Sequence, residues 1–190
     1  MRKVEAAAEQ TAHVPPEVVW SLLSDVTVYP QWGPWRKAGY RSEGDAAANG
    51  KGAVYWLEGS KRYGFRYPVS VEEILDVEPG RRLAYTVLRG IPVRNYRAEV
   101  TLTPSPDGTL IRWGASWDRT IMGRLVYPSL RNLYPVIVAG LVKAAEAAQS
   151  LTRHPCHPAE ACMPSGNSLG SWDGALGDIR TVGMGAVTAA

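Results

Sequence analysis

From Arg36 to Arg119 the chain is a succession of short alternating runs separated by brief turns, and this constrains the fold more than any other feature. The alternation predicts strands near 36–43, 52–58, 63–77, 82–89, 94–103 and 109–119. The connections read GDAAANG, GSKR, EPGR, GIP and PSPDG. Links this short join antiparallel neighbours, because a parallel pair needs a long crossover. Two strands show their faces plainly. Tyr96, Ala98, Val100 and Leu102 alternate with Arg97, Glu99, Thr101 and Thr103; Ile111, Trp113, Ala115 and Trp117 alternate with Arg112, Gly114, Ser116 and Asp118. A sheet with one apolar face must lay that face on something.

The segment 127–152, YPSLRNLYPVIVAGLVKAAEAAQSLT, supplies the partner. Leu130, Leu133, Tyr134, Ile137, Leu141, Ala145 and Ala148 recur at three- and four-residue spacing, the stripe of an amphipathic helix. Pro128 suits its first turn, and Pro135 is expected to kink the helix or delay its start. Ahead of the sheet, KVEAAAEQTAHV predicts a weak first strand. PPEVVWSLLSD then predicts a helix whose first turn is set by Pro15 and Pro16 and favoured by Glu17 near its N-terminus. VTVYPQWGPW predicts a second, shorter helix broken by Pro30, Gly33 and Pro34.

Composition narrows the function classes. Trp and Tyr number 7 and 9 against a single Phe, so the aromatic residues nearly all carry a polar edge. The net charge is +3 with no concentrated basic stripe, which argues against nucleic-acid binding. The opening MRKVEAAAEQTAHV lacks the apolar core of a signal peptide, and no stretch approaches the apolar length of a membrane span, so a cytoplasmic protein without stable membrane insertion is expected. Only Cys156 and Cys162 occur, which does not make a disulfide scaffold. Of the 21 Lys+Arg only Arg180 lies beyond residue 154, and the segment 155–190 is rich in Gly, Ala and Pro without lasting periodicity. The domain is therefore placed at 1–154, with 155–190 expected to be a disordered tail. His154, Cys156, His157 and Cys162 lie close together at its start, but their spacing fits no structural zinc pattern, and neither metal nor cofactor is expected.

Three stretches in this order carry a resemblance: PPEVVWSLLSDVTVYPQW, VEPGRRLAYTVLRGIPVRNYRAEVTLTP and DGTLIRWGASW. Together they resemble the polyketide cyclase/dehydrase and lipid-transport proteins of the START-like, or SRPBCC, superfamily. That likeness implies an α+β helix-grip (START-like, Bet v 1-like) fold. In it a curved antiparallel sheet of about seven strands wraps a long C-terminal helix, and two short helices follow the first strand. It also implies a cavity between sheet and helix that holds an apolar small molecule or a lipid, with the short helices at its entrance.

Under that reading Trp32 and Trp35 stand at the rim. Strand parity turns Tyr55, Phe65, Tyr67, Tyr85, Tyr96, Trp113 and Trp117 toward the cavity, with Leu57, Val69, Val71, Leu83 and Val87 beside them; Trp56 competes with Tyr55 and Leu57 on its strand, and a one-residue bulge would invert any of these assignments. Tyr134, Ile137 and Leu141 close the wall from the helix. A lining rich in Tyr and Trp suits a flat aromatic or polycyclic ligand, bound by a monomer or a homodimer. Binding without chemistry is the first expectation. An aromatase/cyclase or dehydratase using Tyr55, Tyr67, Tyr85 or Tyr96 with Arg66 or Arg94, near strand ends, is the alternative, although parity puts Arg66 outward unless a bulge intervenes. Parity turns no acid and no histidine inward; His13, His154 and His157 all lie outside the strands that face the cavity.

Overall fold

A computed structural model describes residues 2–60 and 68–153. Strand β1 (Lys3–Ala12) leads into helix α1 (Pro16–Leu23), a 3₁₀ turn at Val26–Val28 and the short helix α2 (Tyr29–Trp32). Strands β2 (Trp35–Ser42), β3 (Val54–Gly59), β4 (Val69–Glu78), β5 (Arg82–Arg89), β6 (Arg97–Ser105) and β7 (Gly108–Asp118) follow, and helix α3 (Ile121–Arg153) closes the fold. The seven strands form one curved antiparallel sheet in the order β1-β7-β6-β5-β4-β3-β2. β2 to β7 are therefore a continuous meander, and β1 returns to pair with β7 from Lys3↔Asp118 to Ala12↔Thr109. This is the helix-grip architecture. The expected tail, 155–190, lies outside the described residues, as do Phe65, Arg66 and Tyr67.

The core lies where the alternation put it along the last two strands. Ala98, Val100 and Leu102 of β6 and Ile111, Trp113, Ala115 and Trp117 of β7 are buried beneath Leu130, Tyr134, Ile137, Val138, Leu141 and Ala145 of α3. By length and apolar composition α3 could cross a bilayer, which the sequence reading did not expect of any segment. Its buried stripe against the sheet makes it the core helix of the fold.

α3 also begins earlier than its apolar stripe suggested. The Thr120 hydroxyl accepts the Gly123 N–H at 3.0 Å, an N-cap well ahead of the predicted start at 127. Pro128 and Pro135 are thus both inside the helix. Each proline removes one donor and frees the carbonyl four residues back, on Arg124 and Arg131. Both prolines and both arginines are on the exposed flank, where water can take up those carbonyls.

The two helical layers meet at a glycine. A Cβ on Gly140 of α3 would stand 2.1 Å from the Trp32 carbonyl oxygen, so only glycine lets α2 sit this close. Gly140→Ala is expected to destabilise the fold. Overpacking against backbone costs about 1–3 kcal/mol, and the helix-propensity gain returns about 1 kcal/mol at most. A lower urea midpoint would show this; an unchanged or higher midpoint would mean that α2 is not pinned there.

Candidate functional site

The first turn after α1 builds an aromatic corner. Asp25 caps the 3₁₀ turn by accepting the Thr27 N–H at 2.9 Å, and Pro30 falls in the first turn of α2, where its missing donor is harmless. Tyr29 is buried and donates its hydroxyl to the Leu23 carbonyl at 2.9 Å. Trp32 and Trp35 meet edge to face with ring centroids 5.4 Å apart, and Tyr29 packs on both, at 4.7 and 5.3 Å. Trp32 also reaches Trp113 of β7 at 6.4 Å. Trp32 is only 9 % exposed, so it closes the end of the sheet from inside, and its indole N–H has no acceptor among the described residues. Trp35 is less buried and faces open space.

That space is a cavity of about 550 Å³ between the open end of the sheet and the first half of α3. Trp35 and Leu57 form one wall, Ile91 in the β5–β6 connection another, and Leu130 and Leu133 of α3 the third. Polar side chains are few: Ser60 just after β3, Ser70 of β4, and Ser129 and Asn132 of α3. An apolar hollow with a few fixed polar groups is the usual form of a small-molecule site.

Beneath it the expected lining residues pack against one another. Tyr55, Tyr85, Tyr96, Trp113, Trp117, Tyr134, Ile137 and Leu141 are all buried. The Trp113 indole donates to the Tyr85 hydroxyl at 3.0 Å, and the Tyr96 and Tyr134 hydroxyls share a hydrogen bond of 2.8 Å. Burial raises the pKa of Tyr55, Tyr85, Tyr96 and Tyr134, so each hydroxyl stays a neutral donor. Of the twelve residues expected to line the site, Trp35 borders the cavity, nine lie in the packing beside and below it, and Phe65 and Tyr67 fall outside the described residues. Arg94 is exposed and away from the cavity.

The parity of β4 departs from expectation. β3 and β4 pair as Tyr55↔Glu72, Trp56↔Val71 and Leu57↔Ser70. Tyr55 and Leu57 belong to the inner face, so Ser70, Glu72 and Ile74 face inward. Val71 shares the outer face with Trp56 and does not line the interior; Val69 pairs with Glu58 on that face and is 40 % exposed, yet it borders the cavity, as expected. Register shifts against β5, between Val71 and Glu72 and between Ile74 and Asp76, bend the strand around this point.

An acid is therefore inside after all. Glu72 is 6 % exposed. Its carboxylate accepts the Tyr55 hydroxyl at 2.9 Å and the Ser70 hydroxyl at 2.8 Å. Burial pushes its pKa up to about 7, and the two hydrogen bonds pull the other way. Among the described residues no ion pair includes Glu72. The apolar period of VSVEEILDV favours Val69 and Val71 as the inward pair, which is why the residue types alone did not reveal Glu72. The usable signal was Tyr55 and Leu57 on the neighbouring strand, read together with the hairpin register.

A curved sheet gripping a long helix, with an apolar cavity at its open end, defines a protein of the helix-grip class. The chain belongs to the polyketide cyclase/dehydrase and lipid-transport family, whose pattern it matches over residues 1–152. No curated protein matches it. Solved structures with the same fold include an aromatase/cyclase from Streptomyces sp. R1128, 15% identical, TM-score 0.60, covering 80% of this chain and 97% of that one. A Mesorhizobium loti protein is 23% identical with TM-score 0.58, covering 77% of this chain and 98% of its own. A Thermus thermophilus protein is 18% identical with TM-score 0.60, covering 76% and 99%.

Proposed function

We propose that the protein binds an apolar small molecule, aromatic or polycyclic, in the cavity between the sheet and α3. The observation that carries this reading is the cavity itself: about 550 Å³, walled by Trp35, Leu57, Leu130 and Leu133. The volume lies within the range of small-ligand sites, roughly 300–1,000 Å³. Trp35 offers a flat face for a ring to stack on. Ser70, Ser129 and Asn132 can fix the orientation of one or two oxygens.

Titration of the protein with bicyclic and tricyclic aromatic ketones, followed by tryptophan fluorescence, tests the reading. Leu133→Trp places a second indole in the cavity and is expected to weaken binding by about tenfold or more while the thermal transition stays close to wild type. Undiminished affinity in a folded Leu133→Trp protein would sink the assignment of this cavity.

The alternative reading, an aromatase/cyclase or dehydratase, gains nothing from Arg94, which stands clear of the cavity. It gains from a buried carboxyl joined to the cavity wall by one hydrogen bond.

A further inference from the structure

We propose that Ser70 and Glu72 form a proton relay in the cavity wall that removes and returns a proton α to a carbonyl of the bound ligand. The relay rests on the cavity being the ligand site. Ser70 borders the cavity, and its hydroxyl donates to Glu72 Oε1 at 2.8 Å. Tyr55 holds Oε2 from the opposite side at 2.9 Å. The carboxylate is thus fixed by two donors, and its only route to the cavity among these contacts runs through Ser70.

A carboxylate this deep, with no cation paired to it among the described residues, carries a desolvation penalty that lowers the stability of the fold. Besides the Ser70 hydroxyl, the groups that act on Glu72 or feel its charge are neutral tyrosines: Tyr55 of β3, Tyr85 of β5, Tyr96 just before β6, Tyr29 of α2 and Tyr134 of α3. None of them neutralises it. The same surroundings bring its pKa to about 7, so both protonation states are populated near neutrality, the condition in which one group can take a proton and give it back.

The step balances without a further reactant. The α C–H bond of the ligand breaks, its proton passes to Ser70 Oγ, and the Ser70 proton moves to Glu72 Oε1. The electron pair of the broken bond becomes the enolate π bond as the carbonyl π pair moves onto oxygen. Asn132 and Ser129, in the facing wall, carry donors for that oxygen. Reversal returns a proton to carbon.

Exchange of the α-protons of 2-tetralone, followed by proton NMR in D2O, tests the relay. Affinity for the same ketone is measured in parallel by tryptophan fluorescence. Wild type is expected to accelerate exchange about a hundredfold over Glu72→Gln, which matches the carboxyl in volume. The protein-dependent rate should rise with pH to a plateau, through an apparent pKa of about 7, and this titration should vanish in Glu72→Gln. Ser70→Ala should lose the acceleration as well, and ligand affinity should be retained in Glu72→Gln, whose side chain does not border the cavity. Equal exchange in wild type and Glu72→Gln, with binding intact, would overturn the relay and leave the binding site standing. No binding of the ketone to wild type would overturn both.

Discussion

Trp117→Ala is expected to remove about 3–5 kcal/mol of folding stability, the range for deleting a large aromatic side chain from a packed interior. Trp117 has no exposed surface. Its ring stacks on Tyr96 with centroids 6.2 Å apart and packs against Tyr127 of α3 at 6.5 Å. Its indole donates to the Gly123 carbonyl at 2.9 Å, in the first turn of α3. One residue thus ties the edge of β7 to the start of the core helix, while its strand partner in β1 is Val4. The surroundings cannot collapse into the vacated space, because the hydrogen-bonded β1–β7–β6 ladder fixes one side and α3 the other. For a domain of this size the loss corresponds to a fall in Tm of roughly 10 °C or more. Trp117→Phe keeps most of the ring and forfeits the hydrogen bond, so it should cost less than half as much. Urea unfolding of the two variants decides the matter. A loss below about 1 kcal/mol in Trp117→Ala would mean that the start of α3 is not anchored through this ring.

The parts of the fold that follow from local period could be read from the chain. β6 and β7 alternate without interruption, so the faces of Ala98, Val100, Trp113 and Trp117 followed directly from parity. β5 matched its predicted limits at both ends. Where period and cap disagree, the cap wins: α3 starts behind Thr120 because a hydroxyl and a donor meet there, not because an apolar stripe begins. Where the chain bends, parity read on one strand fails. The register shifts near Glu72 sit in a stretch where Val69 and Val71 pair on the outer face while Ser70, Glu72 and Ile74 turn inward. The inner face of β4 is set by its partner strand, a long-range fact that no window of β4 contains. The cavity has the same origin. Whether buried tyrosines line a space or fill it depends on whether their hydroxyls find one another, as Tyr96 and Tyr134 do. Composition fixes how many such rings there are, not how they pair.

Glu72 should also leave a mark on stability that is separable from any chemistry. Its pKa is about 7 in the folded protein and returns to the ordinary value of 4.5 on unfolding. Between those values the folded state holds a proton that the unfolded state releases. The contribution is therefore fully present below about pH 4.5, declines as pH rises, and is gone above about pH 7. A shift of this size corresponds to about 3 kcal/mol at most. Glu72→Gln has no charge to bury, so its stability should lack this slope. The two proteins should be close in stability near pH 5, and by pH 8 the variant should be the more stable by roughly 2–3 kcal/mol. Urea midpoints across that interval measure it; parallel pH profiles would show that Glu72 does not titrate inside the fold. The direction carries the physical point. Above neutrality the carboxylate is in the form that can accept a proton from Ser70, and there it destabilises the protein most. A residue kept only for packing would gain by becoming glutamine. One that must take up and return a proton cannot, because the amide has neither the charge nor the basicity to do so.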